Sequence, residues 1–308
     1  WTDDFFKGLS RFLIRIALPV YFVVRFARWD VAAWRNLVIM PALALAVVGV
    51  GLVVGVLVFA FLPFRDGDRR AGISMAAFGN SAFVPLALAE ILTATNPELA
   101  GRFDVSEPLL LIGAFVGGFS PLLWAVGGSI LTRNSTTKEP ISLKLFISPP
   151  VVGILVGLGL AFSGVMKFAD DSMLPLRYIF AAGDKLSGIT MPLALINLGA
   201  IIGGLQVTRR SLSKFLGVAA AVGLARLVII PGIFALLWFT GLLNWAAPAV
   251  LFVIFLELHM PPATTLSLIA TEAGVNRDHT AVTLLITYSA YMLLMPFFLS
   301  FYLAITTG

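Results

Sequence analysis

The sequence predicts an all-α, multi-pass membrane protein built from inverted repeats, and three observations carry that reading. Of its 308 residues, 59% are hydrophobic and 12% charged, with a mean hydropathy of +0.98. A soluble globular domain carries roughly 25% charged residues. Leu37–Leu62 runs for 26 residues without a charge or a strongly polar group. At about 1.5 Å per residue, such a helix crosses a hydrocarbon core of about 30 Å with some tilt. Finally, prolines inside the apolar runs recur at nearly one offset. Pro19 and Pro192 are 173 residues apart, Pro85 and Pro262 are 177 apart, and Pro121 and Pro296 are 175 apart.

Hydropathy divides the chain into nine spans, at about 9–27, 36–62, 72–94, 108–131, 146–166, 174–203, 215–239, 248–270 and 280–306. The ten-residue alternating segments of a membrane barrel are not evident. Loops are polar and short, with 63–70 and 132–140 the clearest. Basic residues sort to one side: thirteen fall in one set of loops and seven in the alternate set. The positive-inside rule places the richer set in the cytoplasm, so the N-terminal end is expected inside and the C-terminal end outside, in the cell membrane. Arg25, Arg28 and Arg35 cluster on the outer side as the main exception.

An offset of about 175 residues carries five spans, an odd number, so the two copies run in opposite directions across the membrane. Residues 1–131 form the first repeat, 132–145 a cytoplasmic loop, and 146–308 the second repeat. The second repeat opens with the span after Pro149-Pro150, and its counterpart falls before residue 1. Nine helices of an expected ten are therefore present, with the tenth expected upstream of Trp1.

Several chemistries are excluded. Without cysteine there are no disulfides or thiolate metal sites. His259 and His279 form no HExxH-type pair, so no metal or other cofactor is expected. In a membrane protein a net charge of +5 reflects topology, so no nucleic acid is expected as a partner. Asn134-Ser135-Thr136 matches a glycosylation sequon but falls on the cytoplasmic side. Gly51/Gly55, Gly113/Gly117, Gly153/Gly157 and Gly199/Gly203 have the spacing that lets helices pack closely.

Two spans are broken near their middles. In Phe78-Gly-Asn-Ser-Ala-Phe-Val-Pro85, Pro85 removes a backbone donor, Gly79 permits irregular backbone, and Asn80 and Ser81 supply polar groups. Backbone freed at membrane depth must be satisfied by protein or line a watery cavity. In Glu257-Leu-His-Met-Pro-Pro-Ala-Thr-Thr265, the adjacent Pro261 and Pro262 force Met260 and Pro261 into extended backbone. Thr264 and Thr265 then open a second half-helix, where hydroxyls and free N–H groups can meet a carboxylate. Two such breaks at repeat-related positions point to a transporter site. Glu257 and His259 are ionisable groups inside an apolar span, open to a proton-coupling role or to a structural one. Arg226 is the only basic residue deep in a span and is expected to be a buried counter-charge, to Glu257 or to an anionic substrate, with a buried ion pair the favoured form. Asn197 is a lone polar residue that suits a helix–helix hydrogen bond as well as a ligand contact.

The Phe78–Pro85 segment, Arg226-Leu-Val-Ile-Ile-Pro231, the Met260-Pro-Pro-Ala263 break and the closing helix with Pro296 resemble the auxin efflux carrier family. That family includes the PIN-type plant carriers and bacterial malate or malonate permeases, and the short 132–145 loop resembles the bacterial ones. The resemblance implies ten helices in two inverted five-helix repeats, with two broken helices crossing, a plan like that of NhaA-type antiporters and bile-acid symporters. It implies an elevator-type carrier of a small organic anion, auxin-like or a dicarboxylate, working as a homodimer in the lipid bilayer. Spans 9–27, 146–166 and 174–203 would form the scaffold domain, and spans 36–131 and 215–306 the transport domain. Asn80, Ser81 and Pro85 would form the first crossover, and Met260, Pro261, Pro262, Thr264 and Thr265 the second, around the carboxylate substrate. Plant carriers often read G-N-x-G-N-x-P; Phe83 stands here where the second Asn would fall.

The competing reading is a sodium-coupled symporter of the bile-acid type. Its E-x-x-x-Q-N signature is half present: Glu257 matches, and Pro261-Pro262 replace the Gln-Asn. A membrane enzyme would need a catalytic constellation at membrane depth. Ser74, Ser81 and His259 come with no G-x-S-x-G or HExxH, so the chain reads as a non-enzyme. A non-transporting receptor would not need two broken helices at related positions.

Overall fold

A computed structural model describes residues 3–29, 34–104, 106–133, 148–165 and 175–307. Among these, all regular structure is helical apart from one isolated bridge. Most of the predicted 132–145 loop lies outside the described residues.

Twelve helices follow in order among the described residues. α1 is continuous through Asp3–Phe12, Leu13–Ala17 and Leu18–Ala27; α2 is Trp34–Ala60; α3 is Asp66–Ala77; α4 is Phe83–Thr95; α5 is the single turn Pro97–Ala100. α6 is Ser106–Thr132, α7 Pro149–Ser163, α8 Pro175–Gly203 and α9 Arg209–Phe239. α10 is Pro248–His259, α11 Thr265–Glu272 and α12 Arg277–Thr307. Five of them, α2, α6, α8, α9 and α12, are each long and apolar enough to cross a membrane alone. The pairs α3/α4 and α10/α11 are halves of the two broken spans, and neither half reaches across by itself.

Local chemistry sets several boundaries. Pro149 and Pro150 open α7, where a missing N–H costs nothing. Gly164, at φ +69°, closes it in the left-handed conformation that glycine adopts without strain. Thr208 and Ser211 cap the start of α9 reciprocally, at 2.9 and 3.1 Å. Three helices contain a π-helical turn: Leu13–Ala17, Leu123–Gly127 and Ala225–Ile229. Each lies within a few residues of a proline (Pro19, Pro121, Pro231) that removes one hydrogen-bond donor from the ladder. Proline alone does not dictate the turn, since Pro41, Pro192 and Pro296 sit inside helices without one.

Glycines let the helices approach. A Cβ on Gly153 would sit 2.5 Å from the Pro19 carbonyl oxygen, and one on Gly157 would sit 2.6 Å from Phe26, so α7 lies directly on α1. Gly51 meets the Ala77 carbonyl in the same way and brings α2 onto α3. Gly199 and Gly203 face open space, so that spacing carries no packing role.

α1 packs along α7 and α8, whereas α2, α3 and α6 form one group and α9 and α12 another. Asn197 joins α8 to α1 by accepting a 3.0 Å hydrogen bond from Ser10, the helix–helix option of its two readings. Two of the three arginines expected on the outer side have acidic partners among the described residues. Arg28 is bidentate to Asp184 at 2.7 and 2.8 Å, and Arg25 lies 3.7 Å from Glu90. Large apolar side chains such as Val38, Leu45, Val53 and Leu57 on α2, and Met292, Leu293 and Phe297 on α12, are exposed. This outward apolar surface is what a helix facing lipid presents.

Candidate functional site

Residues 78–82 separate α3 from α4, and Met260–Thr264 separate α10 from α11. Phe78 (φ −107°, ψ 104°) and Met260 (φ −73°, ψ 144°) are extended, as proline at 261 requires of its neighbour. The two interrupted stretches pass each other in opposite directions. The Asn80 N–H donates to the Pro261 carbonyl at 2.8 Å, the Ala263 N–H donates to the Phe78 carbonyl at 2.9 Å, and Gly79 faces Pro262 between them. This is the non-hydrogen-bonded position of an antiparallel pair, so Pro262 has no donor to lose there. Each break thus satisfies backbone groups that the other has freed.

Arg226 lies behind this bridge and is fully buried. Its Nε and Nη2 donate to the Met260 carbonyl at 2.9 and 2.6 Å. Longer contacts of 3.5 Å reach the carbonyls of Glu257 and Ala76. Ala76 lies in the last turn of α3, Glu257 in the last turn of α10 and Met260 just past its end, so one guanidinium spans the C-terminal ends of both half-helices. Gly79 makes the room: a Cβ there would lie 2.0 Å from Arg226 Nη2.

Arg226 and Glu257 are electrostatic neighbours, but no direct contact between guanidinium and carboxylate closes within 4.0 Å among the described residues. The guanidinium is spent on backbone carbonyls, which the breaks leave without intrahelical donors. Glu257 is itself buried, and neither of its carboxyl oxygens meets a hydrogen-bond partner in good geometry among the described residues. Ser81 and Arg226 remain its polar neighbours. His259 points elsewhere. Its Nδ1 meets the Phe255 carbonyl at 2.6 Å, and its ring packs against Phe234, Phe255 and Phe298. That environment matches the structural reading of His259.

On the other face of the bridge a cavity of about 150 Å³ opens. Its polar end is made by Asn80, Ser81, Thr264 and Thr265, where α4 and α11 begin. Its apolar wall comes from Ile14 and Leu18 of α1, Phe83, Val116, Phe119, Leu123 and Trp124, and Leu268, while Ser148 and Pro150 close it at the start of α7. Among the described residues, no basic side chain lines it. Asn80 is held by donating its side-chain amide to the Tyr288 hydroxyl at 2.7 Å.

Sequence-predicted residues therefore separate into layers. Asn80, Ser81, Thr264 and Thr265 line the cavity; Met260, Pro261 and Pro262 build the bridge; Arg226 and Glu257 lie behind it. Pro85 sits in the first turn of α4, outside the cavity lining. Ile14, Phe119, Trp124, Ser148 and Tyr288 escaped sequence reasoning. They come from three other spans and one helix start, and no local motif marks them.

Residues 1–133 match the family model described as membrane transport protein. That model describes an auxin-efflux-carrier-type membrane transport family, and the match covers less than half of the chain. The matched segment carries α1 to α6, including the first break and much of the apolar wall of the cavity. The resemblance drawn from the residues is thereby borne out over that segment. Comparison with curated proteins finds no match. The family supports a membrane transport function, and the long apolar helices support a multi-pass membrane protein.

Proposed function

We propose that the protein is a secondary carrier of a small organic anion, and that the cavity at the helix crossover is its substrate site. The observation that carries this reading is the shape of the polar end. Two half-helix N-termini and four polar side chains converge there, the arrangement that receives an anionic group in broken-helix transporters. Asn80, Ser81, Thr264 and Thr265 hold the carboxylate. The rest of the substrate lies against Phe119, Leu123, Trp124 and Leu268. Among the described residues no cation faces that apolar wall, so a second carboxylate would meet it at a desolvation cost of several kcal/mol. Of the auxin-like and dicarboxylate alternatives, the cavity therefore favours a monocarboxylate with an apolar body.

The cavity also lies between groups of helices: α1 and α7 on one side, the crossover and α6 on the other. This supports a scaffold of α1, α7 and α8 against which the remaining helices move, elevator-like, in a homodimer with its first described helix starting on the cytoplasmic side. Reconstitution in proteoliposomes tests the proposal. Saturable uptake of an aromatic monocarboxylate such as indole-3-acetate is expected, with malonate a poor competitor. Asn80→Ala and Thr265→Ala are each expected to weaken binding about tenfold, the loss of one hydrogen bond to a charged group; Thr265→Ala should leave the melting temperature unchanged, whereas Asn80→Ala also strips the buried Tyr288 hydroxyl of its partner and should lower it. Unchanged binding in both variants would show that the site lies elsewhere.

A further inference from the structure

We infer that the Arg226 guanidinium is the resident cation of the crossover, standing where a carrier of this plan would otherwise bind a coupling metal ion, so that transport runs without sodium. The consequence for transport rests on the carrier reading above; the electrostatic role does not.

A half-helix C-terminus carries about −0.5 of an elementary charge. In broken-helix transporters such ends, with unwound carbonyls, coordinate the coupling cation, while the N-terminal ends face the anion. Here the C-terminal ends of α3 and α10 converge, which together amounts to about −1. Arg226 supplies one positive charge at that point. It reaches the carbonyls of Ala76, Glu257 and Met260 with three nitrogens, through contacts of 2.6 to 3.5 Å. A planar fork of fixed donors can span three carbonyls in this way, whereas an ammonium is a point charge. The fit is built from both sides. Gly79 omits the side chain that would collide with Nη2, and the π-helical turn Ala225–Ile229 carries Arg226 within it. Arg226 does not line the cavity, so it is a positioning residue rather than a substrate ligand.

The test uses purified full chain in detergent and in proteoliposomes. Wild-type uptake of indole-3-acetate is expected to be unchanged when choline replaces sodium. Arg226→Ala is expected to lose at least tenfold in uptake and to melt at lower temperature. Guanidinium at tens of millimolar should restore part of both, and tetramethylammonium should restore neither. Arg226→Met fills the same space without charge and should not respond to guanidinium. Arg226→Lys should fall between Ala and wild type. If Arg226→Ala cannot be purified, the sodium series on the wild type and the comparison of Lys with Met decide the matter. Sodium-stimulated uptake by the wild type, or Arg226→Met transporting like Arg226→Lys, would overturn the inference. Failure of the carrier reading looks different: the wild type then takes up no organic anion, while guanidinium still raises the melting temperature of Arg226→Ala.

Discussion

Gly79 is the residue on which the crossover is most sensitive to a single atom. The Arg226 guanidinium occupies the place of its missing side chain, with Cζ 2.9 Å from the position of a Cβ. The surroundings cannot yield easily, because Arg226 is buried and held at Met260 by two hydrogen bonds. Gly79→Ala is expected to destabilise the protein by about 1–3 kcal/mol, the usual range for overpacking a tight interior, and to reduce uptake. Gly199→Ala is the matched control, since nothing lies within 4 Å of that Cβ, and it should fold and transport normally. Thermal unfolding of the two variants in detergent checks the contrast. Glu257 and His259 show how far residue type alone can be read. Both looked alike as ionisable groups in an apolar span, yet one keeps its carboxyl oxygens poorly satisfied beside the bridge and the other is enclosed by phenylalanines.

At the scale of an element, Pro261 and Pro262 keep α10 and α11 apart. Proline costs about 3 kcal/mol relative to alanine inside a helix, so replacing both removes the main obstacle to one continuous helix. Continuity would take the Pro261 carbonyl away from the Asn80 N–H and fold the Met260 carbonyl into the helix, away from Arg226. Pro261→Ala combined with Pro262→Ala is expected to insert into the membrane, to gain slightly in helicity by circular dichroism, and to lose uptake. Normal uptake by this variant would show that the break is dispensable. The first break behaves differently: Pro85 already lies inside α4, and the interruption precedes it at residues 78–82. The sequence placed that break correctly by its Gly-Asn-Ser content, while proline marks only the restart of the helix.

For the whole molecule, two ion pairs on α1 make the elevator reading testable. Arg28–Asp184 joins α1 to α8, inside the proposed scaffold. Arg25–Glu90 joins α1 to α4, across the proposed sliding surface. The chain has no cysteine, so pairs can be introduced without removing any native thiol. Bridging Arg25→Cys to Glu90→Cys with a short reducible linker is expected to stop uptake, and reduction should restore it. Bridging Arg28→Cys to Asp184→Cys should leave uptake intact. Equal effects of the two bridges would rule out relative motion between these helix groups.

Read alone, the sequence determined the solvent and the plan. Low charge, long apolar runs and proline spacing are one-dimensional properties, and they suffice for helices in lipid with two interrupted spans. They also marked Asn80, Ser81, Thr264 and Thr265, because polar residues beside a break are conspicuous against an apolar background. Tertiary structure decided what those breaks do. Which backbone groups pair across Gly79 and Pro262, which carbonyls take the Arg226 donors, and which distant side chains wall the cavity all depend on contacts between separate helices, 34 residues apart for Arg226 and Met260 and 150 for Arg226 and Ala76. Arg226 gives the physical reason. A charge in an apolar run announces that a partner exists, but an acidic side chain and a converging pair of helix ends satisfy it equally well on paper. Only packing brings the two C-terminal ends together and gives their carbonyls, rather than the neighbouring Glu257 carboxylate, the hydrogen bonds of the guanidinium.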